Sequence, residues 1–151
     1  MDTYAEYEKK AEEIRKINHV YLDGYRKHLE AQGLKENTIN KHVDNVDFYI
    51  NYFLLYYDAI SAKDGCCSID GFLGYFFIRK AMWSSVAAIK SNIASIKKFY
   101  RYMLDIGVIK EEKYDRLCEI IKNEKENWFA TMRRYDDPNE DDPFHHKDYD
   151  F

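Results

Sequence analysis

The sequence predicts an all-α protein, a compact bundle of four to five helices. Two observations set that class. Only 6 Gly and 2 Pro occur in 151 residues, and both prolines (Pro138 and Pro143) fall near the C-terminal end, so long stretches carry no helix breaker. Apolar residues recur at three- and four-residue steps in successive segments, the period of one buried helix face, and no strand-like alternation or internal repeat interrupts them. The length is that of one domain able to bury a core, and the 33% of charged residues suits solvated helix faces.

The first helix is expected over residues 4–32, with Ile14, Ile17, Tyr21, Tyr25 and Leu29 inward and Gly33 as its stop. Gly24 weakens such a helix, so it marks close packing or a break. Asn37 is the expected N-cap of the second helix, because its side-chain oxygen can accept from orphan backbone N–H groups. Ile39, Val43, Val46, Ile50, Phe53 and Tyr57 line that helix's inner face, and Asn40, Lys41, Asp44, Asn45 and Asp47 its outer one. Residues 61–68, with Gly65, form a loop. Asp70 is expected to cap a short third helix over 71–80, apolar around much of its circumference and therefore buried. Ser84 or Ser85 opens the fourth helix, whose core period runs through Val86, Ile89, Ile93, Ile96, Tyr100 and Met103 to a stop at Gly107. A fifth helix over 111–134 turns Tyr114, Leu117, Ile120, Ile121 and Trp128 inward.

Charge divides the chain into three parts. The net −4 combines −3 over residues 1–13, +5 over 14–135 and −6 over 136–151. The expected organisation is an acidic N-terminal helical extension (1–13), a helical domain (14–135) and an acidic, proline-punctuated disordered tail (136–151). A mildly basic body permits a polyanionic partner that the overall charge conceals. No signal peptide is visible, and no apolar run is long enough to span a bilayer. Cys66, Cys67 and Cys118 lack CxxC spacing and read as plain thiols in a reducing cytoplasm, with no metal and no cofactor expected. His145 and His146 among acids could hold a divalent ion weakly, but a solubility tail is the plainer reading.

Two blocks carry a family resemblance. The turn Gln32-Gly33-Leu34-Lys35-Glu36-Asn37-Thr38-Ile39 is followed, a helix later, by Ile93-Ala94-Ser95-Ile96-Lys97-Lys98-Phe99-Tyr100-Arg101-Tyr102-Met103 and the exit Gly107-Val108-Ile109. In order and separation these resemble the N-terminal core-binding (SAM-like) domain of tyrosine recombinases and phage integrases, over residues 16–110. Three features depart from that family's pattern. His42 stands where Tyr is common, Asn45 stands where Asp is common, and Lys110-Glu111-Glu112 replaces the usual Asn-Pro after the exit.

The resemblance implies that the second and fourth helices straddle double-stranded DNA. Candidate DNA contacts are Lys35, Thr38, Asn40, Lys41 and Asn45 from the second, and Ser84, Ser85, Lys90, Ser91, Asn92, Lys97, Lys98 and Arg101 from the fourth. Lys and Arg gain affinity by releasing condensed counterions, while Asn and Ser can bond base edges or phosphates. The plainer alternative is an ordinary solvated face, since Asp44, Asp47 and Asp105 interrupt the basic residues. The family's nucleophilic Tyr, with its activating Arg and His groups, resides in a separate catalytic domain marked by an H-x-x-R box. That box does not occur here, and the stretch after Gly107 is too short for such a domain. The expectation is a non-enzymatic DNA-binding domain that modulates recombination, alone or with a full-length recombinase. The alternative is a helical protein-interaction module, or a degenerate integrase remnant without DNA binding, suggested by 14 Tyr. Trp83 could touch a partner.

Overall fold

A computed structural model describes residues 3–137 of the chain. Thr3 opens α1 (Tyr4–Ala31), its hydroxyl oxygen accepting from Glu6 N–H at 3.1 Å. α2 follows (Glu36–Asp47) and continues as a π-helical stretch, Phe48–Phe53. α3 is built from short helical turns, Ile69–Gly71 and Phe77–Lys80, on either side of a second π-helical stretch, Phe72–Phe76. α4 (Val86–Asp105) and α5 (Glu111–Asp136) complete five helices, and no strand occurs among the described residues. Pro138, Pro143, His145, His146 and most of the acidic tail lie outside the described residues.

α1 and α4 stop in the same way. Gly33 and Gly107 have φ of 80° and 81°, the left-handed region that a Cβ disfavours. After each glycine an N–H bonds back over the helix end, Leu34 to Leu29 O at 3.3 Å and Val108 to Met103 O at 2.9 Å. The two apolar pairs, Leu34 with Leu29 and Val108 with Met103, are the usual companions of this stop.

Several sequence expectations are corrected. Asn37 is no cap: α2 begins one residue after Lys35, and Asn37 is an exposed residue of its first turn. Asp70 lies inside α3 and accepts from Trp128 Nε1–H at 2.7 Å, tying α3 to α5. Ile17 is 52% exposed and Asn18 takes the inward position, because a stripe through Ile14, Tyr21 and Tyr25 passes residue 18 and misses 17. Asn18 Nδ2 donates to Ile50 O at 3.2 Å and to Asn51 Oδ1 at 2.8 Å, joining α1 to the end of α2. Tyr57 is 70% exposed, since the helix ends at Phe53 and the chain turns before reaching it. Gly24 marks close packing and no break: α1 runs unbroken, and a Cβ there would collide with the Tyr102 hydroxyl of α4.

The core gathers between all five helices. The two π-helical stretches face each other through their rings, with Phe53 5.0 Å from both Phe72 and Phe76. Tyr25 meets Phe99 edge-on at 5.3 Å, fastening α1 to α4. A smaller cluster of Ala11, Ile14, Leu55 and Ala59 fixes the N-terminal half of α1, which runs through residue 13 without a break.

Candidate nucleic-acid interface

Among the described elements α2 and α4 share the most extensive contact, and its seam is polar. Asn45 Nδ2 donates to Ser91 Oγ and to Ser95 Oγ, both at 3.0 Å. His42 Nδ1 lies 2.8 Å from Ser95 Oγ. Ser95 donates its own proton to Ser91 O at 3.0 Å. A hydroxyl has one proton, so with that proton on Ser91 O the Ser95 oxygen accepts from both Asn45 and His42, which places a proton on His42 Nδ1. Burial holds the His42 pKa below its ordinary 6.5, and the nearby Lys98 and Lys41 ammonium groups lower it further. Small residues at 91 and 95 let the two helices approach, and the network satisfies what that approach buries.

Thus Asn45, Ser91 and Ser95 spend hydrogen bonds on each other. Asn92 is 2% exposed and donates to Ala88 O at 2.9 Å, so it faces the interior and leaves the outer face of α4. Ser85 caps α4, its oxygen accepting from Ala88 N–H at 3.0 Å, and Ser84 donates to Ile78 O at 3.1 Å. Four of the polar candidates on α4 (Ser84, Ser85, Ser91 and Asn92) therefore hold local structure.

The cations are arranged differently. Lys90, Lys97 and Arg101 recur at seven and four residues and are all exposed, forming one outward stripe of α4. Lys98 stands between that stripe and exposed Lys41 of α2, close enough to His42 for both to act on it. Lys97, Lys98 and Arg101 share a shallow groove of about 380 Å³ with His28, Gln32, Asp105 and Tyr114. Arg101 pairs with Asp105 at 3.3 Å across exposed side chains, a contact worth little. Arg101 and Lys90 also lie over the Tyr114 and Phe129 rings of α5, at 5.8 and 5.3 Å. Lys35 and Thr38 are exposed at the start of α2, with Asn40 half-buried beside them.

Of the acids that interrupt this surface in sequence, Asp105 stays within it, whereas Asp44 and Asp47 are on the α1 side of α2. Asp44 and Asp47 line a groove with His19, Asp23 and Arg26 of α1. Asp47 also accepts from Asn51 Nδ2 at 2.6 Å. One turn of helix thus separates a basic flank towards α4 from an acidic flank towards α1.

Among the described residues, three fully buried tyrosines are anchored to backbone carbonyls: Tyr25 to Ser95 O at 3.3 Å, Tyr49 to Gly65 O at 2.6 Å, and Tyr100 to Ala62 O at 2.7 Å. Burial raises all three pKa values, which makes each a poor nucleophile. Cys66, Cys67 and Cys118 are free thiols, and burial pushes the Cys66 pKa up to about 12. Among the described residues no cluster of three metal-ligating side chains occurs, and no helix is long and apolar enough to cross a membrane.

Residues that the sequence did not point to as DNA contacts complete the surface: His28 and Gln32 from α1, and His42 in the seam. Only their positions on facing helices identify them. Comparison of the chain with protein-family models, curated proteins and solved structures returns no match.

Proposed function

We propose that this chain is a non-catalytic domain that binds double-stranded DNA through α2 and α4, in the manner of a recombinase core-binding domain. It would modulate recombination, alone or beside a full-length recombinase. The observation that supports this reading is the gathering of Lys41, Lys97, Lys98 and Arg101 on one side of the α2–α4 pair, while Asp44 and Asp47 turn towards α1. Long cationic side chains on adjoining helices suit phosphates of a duplex. The polar seam beneath them is already satisfied, so it acts as a rigid mount. Titration of labelled duplex DNA at low salt tests the proposal. Binding should occur and should weaken in the combined Lys90→Ala, Lys97→Ala, Lys98→Ala variant. No binding, or binding untouched by the three changes, overturns it.

A protein-interaction module is the second reading, and a set of exposed large side chains favours it. Tyr52, Tyr57, Tyr75 and Met82 are exposed large side chains, Met82 at 98%, and aromatic residues and Met are enriched in protein interfaces. Co-purification from the native cell of a protein partner without nucleic acid would support this reading over the first.

A further inference from the structure

Beside the basic flank lies a second groove, of about 240 Å³, lined by Lys41, Asn45, Trp83, Ala87, Ser91 and Asn92 among others. Its volume falls below the roughly 300–1,000 Å³ of sites for drug-sized ligands, so it suits a single planar ring system. Trp83 forms one wall and is 58% exposed. Phe48 and Phe77 hold its indole edge-on, at 5.3 and 6.3 Å. Ala87 and Ala88 contribute only methyl groups to the lining. Asn92 closes the floor: its Nδ2 is satisfied by Ala88 O, whereas its buried Oδ1 has no hydrogen-bond partner in the protein. A buried acceptor without a donor carries a desolvation cost that an incoming N–H relieves. Lys41 stands at the rim, where a phosphate would follow the ring.

We propose that this groove is a subsite for one unstacked nucleobase, stacked on Trp83, with an exocyclic amino group donating to Asn92 Oδ1 and the adjoining phosphate against Lys41. Asn92 Oδ1 lies beneath the groove surface, so the ring enters by moving Trp83 outward. Trp83 sits on the short turn closed by Ser84 N–H to Ala81 O at 3.1 Å, outside any helix, and can shift without unwinding one. Aromatic stacking of a base is tolerant of sequence, and the amino group adds a preference for adenine, cytosine or guanine over thymine. The subsite rests on the nucleic-acid reading above and adds to it a preference for DNA that presents an extrahelical base.

Three labelled duplexes test it: one fully paired, one with a single bulged deoxyadenosine, and one with the bulged purine analogue that lacks the 6-amino group. Binding is followed together with tryptophan emission. Trp128 also emits but is buried and bonded to Asp70, so a change on binding that Trp83→Ala removes is assigned to Trp83. The adenosine bulge should bind roughly tenfold or more tighter than the paired duplex and quench the emission. Trp83→Ala should abolish that advantage and leave the paired duplex unaffected, and Trp83→Phe, which keeps a ring, should retain most of it. Equal binding of bulged and paired duplexes without quenching overturns the subsite and leaves duplex binding standing. A bulge preference that survives Trp83→Ala also overturns it, by placing the base elsewhere. Equal affinity for the two bulges removes the role of Asn92, and failure of every duplex to bind overturns both proposals.

Discussion

At the scale of single residues, Ser95 and His42 carry the most information. Ser95 is fully buried and accepts from two side chains of α2 while donating to its own helix. Ser95→Ala should cost about 1–3 kcal/mol in urea unfolding, because His42 loses its partner and Asn45 loses one of two. His42 links the seam to pH. Its folded pKa lies below the 6.5 of the unfolded chain, so as pH falls the unfolded state takes up the proton first. Stability should therefore be full above pH 6.5, decline below it, and level off once the folded state is also protonated. Urea midpoints measured through that range check the sign, and His42→Gln should remove the His-linked part of the decline.

The elements show where local chemistry decides and where packing does. Ser85 is a true cap, so Ser85→Ala should destabilise by roughly 0.5–2 kcal/mol. Asn37→Ala, a change at an exposed first-turn residue, should stay within about 0.5 kcal/mol. Thermal unfolding of the two variants side by side separates a cap from a cap-like residue. The distinction was not legible in the sequence, because Asn37 and Ser85 have equal credentials there. Lys35 sits at the α2 cap position with extended backbone and offers no capping oxygen. The π-helical turns of α2 and α3 were equally hidden. In them the N–H groups of Leu54 and Phe77 reach back five residues, to Tyr49 O and Phe72 O. The wider turn accompanies the crowded aromatic packing between the two helices.

At the scale of the molecule, the separation of charge makes the functional reading testable. A phosphate-tracking surface implies that affinity falls steeply with salt, and the triple lysine variant should flatten the logarithmic salt slope by roughly 0.9 for each of its lysines that meets a phosphate. An unchanged slope would mean that these lysines do not meet phosphates. Residues 138–151 contribute five acids and one lysine. Removing them should tighten duplex binding at low salt, and the gain should shrink at high salt, where charge is screened. Unchanged affinity after truncation would show that the acidic segment does not compete for the basic flank.

By itself the sequence determined the helical class, the stops at Gly33 and Gly107, a serine cap at 84 or 85 and most of the buried face of α4. These follow from backbone preference and from a helical period that any single segment displays. It also supplied the cations of α2 and α4, but in one dimension Asp44 and Asp47 dilute them. Only the tertiary structure decided which flank each charge occupies, because α2 turns one side to α4 and another to α1. It moved Asn92 from the expected outer face into the interior, and it put Asn18 inward in place of Ile17. It also set Trp83 against Phe48, beside an acceptor on another helix. Periodicity within a helix says which residues are neighbours on that helix. Which groups meet across two helices depends on how the helices pack.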